Sequence, residues 1–142
     1  MKSKPSLEDL LKEFIKYVSS ALKSLRSTSK MRTVHMLFGS ILFSPGRYGE
    51  ELMFKEASAK LIRAKKVLEA MKAKINQIEI TALIEDNEIK VAMTELLMAD
   101  LDSEVLKLLQ YRHEYEVARR LEHLIHCSQT LLAALSYISK DT

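Results

Sequence analysis

The strongest pattern in the chain is a heptad repeat of apolar residues between positions 50 and 84. Their spacing alternates between three and four residues, which is typical of a helix that packs along one side. The repeat predicts a helix from Glu50 to about Ile84, roughly 50 Å long at a rise of about 1.5 Å per residue. We call these residues the first seam: Phe54, Ala57, Leu61, Ala64, Leu68, Met71, Ile75, Ile78 and Ala82.

A second apolar repeat lies in the C-terminal part of the chain and predicts another long helix. This helix would run from Ser103 to about Ser139, after the acidic stretch 100–104 that is typical of a capped helix start. Ser128 replaces one apolar residue of the repeat. We expect this second seam to pair with the first, within one chain or between chains. The second seam consists of Val117, Leu121, Leu124, Leu131, Leu135 and Ile138.

The first 44 residues predict two shorter amphipathic helices. Apolar residues recur at helical spacing from Leu7 to Leu25, and charged residues cover the opposite face. Ser6 can cap the start of this helix. The sequence Ser27-Thr28-Ser29 predicts its end and offers a cap for a second helix from Lys30 to Phe43. The following segment 44–49 contains Pro and Gly and predicts a loop.

The segment 77–93 allows two interpretations. Apolar and polar residues alternate over 78–81 and over 89–91, which is compatible with a β-hairpin. The other interpretation is a helix, a turn at Asp86-Asn87, and a new helix from Glu88 to Ala99. We favour the helical interpretation because the first seam continues into this segment.

The composition favours an all-α fold. Three Gly and two Pro in 142 residues leave too few turn residues for a β-sandwich or β-barrel. We therefore expect a single domain, built as an antiparallel bundle of four to five helices with a long heptad-patterned helical hairpin. Residues 1–44 would contribute two helices, and residues 50–142 the long hairpin.

Charge is unevenly distributed along the chain. The overall net charge is +3, but residues 1–76 carry +9 and residues 77–116 carry −7. Charge runs of this kind commonly form solvated faces or neutralise each other. We expect the Lys-rich flank of the first-seam helix to lie beside the acidic segment 85–104.

Several features favour a soluble, intracellular, cytoplasmic protein without integral membrane association. The longest apolar stretch, 33–43, is about half the length that spans a bilayer. Acidic and basic residues interrupt the N-terminal segment, so no signal-peptide core is present there. The single Cys excludes an internal disulfide framework.

The two seams favour a non-enzymatic helical interaction or assembly module, which associates with itself or docks a helical protein partner. No Gly-rich phosphate loop and no Gly-x-Ser-x-Gly motif occurs, and no cofactor is predicted. The predicted partner interface consists of Leu61, Leu68, Met71, Ile75 and Ile78.

An alternative function is nucleic-acid binding through a basic stripe on the first-seam helix. Such a stripe could follow a phosphate backbone, with an affinity that falls steeply with salt. No aromatic residue lies between Lys55 and Lys74 to stack on bases, and the stripe could instead be solvated or paired within the protein. The candidate binding residues are Lys60, Arg63, Lys65, Lys66 and Lys72.

His123 and Cys127 are weak candidates for a metal site. They are four residues apart and share one face of a helix, and His126 lies nearby on the same helix. Zinc takes four protein ligands in structural sites and three plus water in catalytic sites. The remaining ligands would have to come from another helix, and the sequence nominates none.

Arg120 and His126 are weak catalytic candidates, and Arg119 has a similar spacing to His126. The Arg-x5-His spacing resembles the motif of the HEPN family of helical-bundle ribonucleases. The resemblance implies a dimer in which the Arg and His come together where two protomers meet and cleave RNA. Leu121 follows Arg120, where the family usually has a polar residue. This ribonuclease function is the lesser alternative.

Overall fold

The computed structural model describes residues 5–38, 45–77, 86–111 and 113–141, with side chains over 5–26, 51–76, 86–111 and 113–137. In these ranges the chain forms five helices and no strand, which confirms the all-α prediction. The helices are α1 (Leu7–Phe38), α2 (Pro45–Gln77), α3 (Asn87–Met98), α4 (Leu101–Leu109) and α5 (Glu114–Asp141).

The helices form a four-rod antiparallel bundle. α1 and α2 form a long hairpin, which differs from the one expected within residues 50–142, and α5 packs against both α1 and α3. α3 and α4 are separated only by Ala99 and Asp100, and together they act as the third rod. Among the described residues, α1 does not pack against this third rod, and α2 does not pack against α5. These two pairs are therefore the diagonals of an up-down-up-down bundle.

Contacts between α2 and the third rod show in which direction the third rod runs relative to α2. Lys65 Nζ lies 2.7 Å from Asp102 Oδ2, and Lys72 Nζ lies 2.7 Å from the carbonyl oxygen of Ala99. Residue numbers thus rise on α2 while they fall on the opposing rod, so the two are antiparallel.

Carboxylate caps start α3 and α4. The sequence predicts a capped start at 100–104 and a turn at Asp86-Asn87. Asp86 Oδ1 accepts hydrogen bonds from the backbone N–H of Glu88 at 2.9 Å and of Ile89 at 3.4 Å. Asp100 Oδ1 accepts one from the N–H of Ser103 at 3.2 Å. Each cap satisfies donors that the first turn of a helix leaves open.

The helical interpretation of the segment after Asp86 is confirmed. Residues 89–91 lie within α3, so the strand proposed for them in the hairpin alternative is wrong. Residues 78–85, including the predicted end of the first-seam helix, lie outside the described residues.

The break predicted at Ser27-Thr28-Ser29 is wrong. α1 runs through these residues as one helix of 32 residues, and the separate helix 30–43 does not occur as such. Ser and Thr in a helix interior cost only about 0.5 kcal/mol each relative to Ala, and they end a helix only where the chain also turns. Residues 39–43 lie outside the described residues.

The loop predicted over 44–49 is also wrong for residues 45–49, which form the first turn of α2. Pro45 is the first residue of the helix. Proline suits this position because its missing N–H would have no intrahelical partner and its φ angle is already helical. The Pro-Gly sequence therefore starts a helix here instead of ending one.

The long C-terminal helix predicted from Ser103 to Ser139 is divided into α4 and α5. The backbone N–H of His113 donates to the carbonyl of Lys107 at 3.0 Å, in the turn between the two helices. Chain reversal allows Leu108 on α4 and Val117 on α5 to be fully buried. The segment 110–113 has no Gly or Pro, so the local sequence does not signal this turn.

Both seams lie in one core but do not pair directly. The described part of the first seam, from Phe54 to Ile75, is at most 3% exposed, and Val117 to Leu131 of the second seam is also buried. Because α2 and α5 are diagonal, each seam reaches the core centre and packs mainly against α1 and the third rod. The expected direct pairing within the chain is therefore not observed among the described residues.

Ser128, which interrupts the second seam, is fully buried. Its hydroxyl donates to the carbonyl oxygen of Leu124 at 2.8 Å, so the polar group is satisfied within its own helix. Of the remaining seam residues, Leu135 is half-buried. Ile78, Ala82 and the side chain of Ile138 lie outside the described part.

Replacing Leu68 by Ala is expected to lower the free energy of unfolding by about 2–5 kcal/mol, because truncation leaves a cavity in a packed core. The Leu68 side chain is 1% exposed. Urea unfolding monitored by far-UV circular dichroism measures the change. Leu52 on the same helix is 55% exposed, so Leu52→Ala is the control and should change stability by no more than about 0.5 kcal/mol. Equal losses in the two variants would contradict this assignment of the core.

Candidate functional site

Two lysines of the predicted basic stripe contact the α3–α4 junction. Lys65 forms an ion pair with Asp102, and this hydrogen bond and charge raise the pKa of the Lys65 ammonium. Lys72 donates to the Ala99 carbonyl, at the end of α3. For these two residues, the expected approach of the Lys-rich flank to the acidic segment 85–104 is confirmed.

Lys60 also has protein partners. Its Nζ lies 3.2 Å from Ser24 Oγ on α1 and 3.4 Å from Glu56 Oε1 one turn earlier on α2. Arg63 and Lys66 are exposed. Three of the five candidate nucleic-acid-binding side chains are thus engaged within the bundle, and two extend into solvent.

The structure places the predicted partner interface inside the chain's own core. Leu61, Leu68, Met71 and Ile75 are each at most 3% exposed, while Ile78 lies outside the described residues. A partner helix could reach the four buried side chains only by displacing α1 or the third rod. A docking surface on the folded bundle must therefore involve other residues.

A polar cluster joins α3 and α5 around Glu95. Its Oε2 atom lies 3.4 Å from Arg120 Nη1 and 3.5 Å from His123 Nε2. His123 Nε2 in turn lies 3.7 Å from Cys127 Sγ. Sequence reasoning missed the contact of Glu95 with α5, because no local motif links Glu95 to a helix about 25 residues further along.

Among the described residues, the cluster has neither the ligand set of a metal site nor the geometry of a nucleophilic relay. In the part of the chain that the structure describes, no group of three His, Cys, Asp or Glu residues could hold a metal ion. Burial, together with the negative charge of Glu95, raises the pKa of the Cys127 thiol, although Arg120 opposes this. A carboxylate–imidazole–thiol relay would use both ring nitrogens of His123, whereas here the same Nε2 faces both neighbours.

Arg120 and His126 do not converge within one chain. Residues six positions apart on an α-helix point about 120° away from each other. Arg120 contacts Glu95 and lines a cleft with α1 and α4, whereas the exposed His126 lines a separate groove between α3 and α5. The intermolecular arrangement that the HEPN resemblance implies remains a prediction.

A cleft of about 850 Å³ lies between α1, α4 and the first turns of α5. Two of its basic side chains pair with carboxylates that line the same cleft. Arg26 Nη2 lies 2.8 Å from Glu122 Oε1, and Lys107 Nζ lies 3.2 Å from Glu116 Oε1. Mixed charges of this kind favour no anionic or cationic ligand in particular.

Glu104 is a buried carboxylate on the inner side of α4. It is 5% exposed, its Oε1 atom lies 3.5 Å from Lys107 Nζ, and its Oε2 atom has no hydrogen-bond partner among the described residues. Burial raises the pKa of the Glu104 carboxyl group, although the charge of Lys107 opposes this. The ionised form is therefore less well accommodated in the folded chain than in the unfolded chain.

Large apolar side chains are exposed on the outer face of α4. Leu106 and Leu109 are 50% and 52% exposed, and they lie next to each other one turn apart. Two more exposed apolar side chains, Tyr111 and Tyr115, follow in the turn and at the start of α5. Sequence reasoning missed this surface because both leucines fit the amphipathic pattern of the longer helix that it predicted.

Comparison with models of protein families, with curated proteins and with solved structures finds no significant match. No helix in the described ranges combines the length and apolar character needed to cross a membrane. The fold and the site geometry are therefore the basis for a functional proposal.

Replacing Glu104 by Gln should make the protein no less stable than wild type at neutral pH, because an ionised buried carboxylate is removed. Because the pKa of Glu104 is raised in the folded state, the free energy of unfolding of wild type increases as the pH falls from neutral towards the ordinary pKa of about 4.5. The difference between variant and wild type should therefore shrink over that range. Urea unfolding at a series of pH values measures it.

Glu116→Gln is the matched control, because it removes an exposed carboxylate that also contacts Lys107. The change in the free energy of unfolding caused by Glu104→Gln should depend on pH more strongly than the change caused by Glu116→Gln. A pH-independent difference for Glu104→Gln would contradict the assignment.

Proposed function

We propose that the chain is a non-enzymatic helical interaction module that docks another helical chain on the outer face of α4. The observation that carries the proposal is the exposure of Leu106 and Leu109 on that face. The inner face of α4 already buries Leu101 and Leu108 in the core. The helix is thus apolar on two sides, and only one of them is covered by the bundle.

The arrangement of these side chains supports docking over chance exposure. Single exposed apolar residues are common on protein surfaces, but adjacent ones mark interaction sites more often. Leu106 and Leu109 are neighbours on a helix that rigid contacts hold in place, including the Asp100 cap and the Lys65–Asp102 ion pair. A surface on a fixed helix costs little ordering entropy when a partner binds.

The alternative of nucleic-acid binding has less support. Lys60, Lys65 and Lys72 have partners within the protein, and binding phosphates would compete with these contacts. The ribonuclease alternative would have to release Arg120 from Glu95. No observation favours either alternative over docking of a helical chain.

Docking can be tested with a displayed library of helical peptides, in which leucine is fixed at the heptad a and d positions and Glu, Lys or Ser occupies the flanking positions. Immobilised wild-type protein should enrich a subset of peptides, since a helical partner would bury an apolar stripe on this face. A double variant, Leu106→Glu with Leu109→Glu, should enrich none. In parallel, light scattering on size-exclusion eluate reports whether the chain associates with itself.

Val91→Glu is the matched control, because Val91 is 56% exposed on α3, away from the outer face of α4. This variant should enrich peptides as wild type does, and circular dichroism should show that all variants fold. A monomeric wild type that enriches nothing would contradict the proposed function. So would enrichment or self-association that persists unchanged in the double variant.

A further inference from the structure

The exposed surface of α4 continues onto α2. Lys65 and Asp102 are in contact, and the two helices are antiparallel. On α2, Ile62 lies one turn before Lys65. On α4, Leu106 lies one turn after Asp102. The antiparallel register therefore brings Ile62, which is 49% exposed, to the level of Leu106.

We call Ile62, Leu106 and Leu109 the outer stripe. It follows the shallow groove between two antiparallel helices, whose inner faces are held in the core. An amphipathic helix binds such a groove by placing side chains spaced three, four and seven residues apart onto the apolar stripe. The shape of this surface thus suits one additional helix that packs alongside α2 and α4.

The charges beside the outer stripe are predominantly positive. On the exposed side of α2, Lys66 lies one turn after Ile62, and Arg63 lies about 100° further around the helix from Ile62. Both side chains extend into solvent. The exposed acidic residues near this level are Asp102 on α4, which lies 2.7 Å from Lys65, and Glu69 on α2, which lies 4.0 Å from Lys72. A docking helix therefore meets two basic side chains that are not engaged in ion pairs with the described residues.

We propose that the occupant of the outer stripe is an amphipathic helix of another protein, with acidic residues flanking its apolar face. This inference rests on the proposed function and adds the chemistry of the partner. Acidic flanks would pair with Arg63 and Lys66 while the apolar face covers Leu106 and its neighbours. A second copy of this chain is disfavoured, because a two-fold interface through this surface would bring the same basic residues together.

The sequences of the peptides enriched from the library test the charge of the partner. Wild type should enrich peptides with Glu at the flanking positions over peptides with Lys by roughly tenfold, because exposed ion pairs replace like-charge contacts. The variant Arg63→Glu with Lys66→Glu should reverse this preference. Fluorescence anisotropy of one resynthesised acidic peptide should show weaker binding to that variant and to wild type at high salt.

Lys12→Glu with Lys16→Glu is the matched control, since it makes the same change in net charge on exposed positions of α1. The control should retain the wild-type preference for acidic peptides. Enrichment that shows no charge preference, or an acidic preference that survives in the α2 variant, would overturn the inference and leave the docking surface intact. A wild-type dimer that Leu106→Glu converts to a monomer would assign the stripe to a second copy and likewise overturn it.

Discussion

The burial of the first seam against α1 is the constraint on which the rest of the structure depends. α1 and α2 are 32 and 33 residues long, and helices of this length are stable in water chiefly when an apolar face is covered. The hairpin covers one side of each helix and leaves the other side of the core open. α5 packs on α1 and the third rod packs on α2, and together they cover the open side of the core. Within the described residues, the bundle therefore buries most of both seams against its own helices.

The break between α3 and α4 allows the two halves of the third rod to pack against different helices. Ala99 and Asp100 are extended, so α3 ends at Met98 and α4 starts anew at Leu101, with these two residues between them. α3 packs chiefly on α5 and α4 chiefly on α2, whereas one continuous helix would present one straight face. Lys72 stabilises the break because it donates to the carbonyl of Ala99. Lys60, Lys65 and Lys72 of α2 thus have a structural role, which composition alone could not distinguish from phosphate binding.

Sequence periodicity identified the hydrophobic core residues of α2 except Val67, and most of those of α5, because burial imposes the heptad spacing directly. It could not say whether the first seam was covered from within or by another chain, since both produce the same pattern. It also missed the turn before Glu114, which depends on chain reversal and not on Gly or Pro. The contact of Glu95 with Arg120 was equally hidden, because it joins helices that are distant in sequence. The candidate docking surface needed the tertiary register between Lys65 and Asp102.

Contacts other than the exposed leucines hold α4 in the bundle. A helix of nine residues is too short to be stable by itself, so α4 must be fixed by its surroundings. The Asp100 cap, the Lys65–Asp102 ion pair and the burial of Leu101 and Leu108 supply that fixation. Leu106 and Leu109 point away from the core, and polar residues there would keep every one of these contacts. Their apolar character is therefore not required by these contacts, and the proposed docking of a helical chain would account for it.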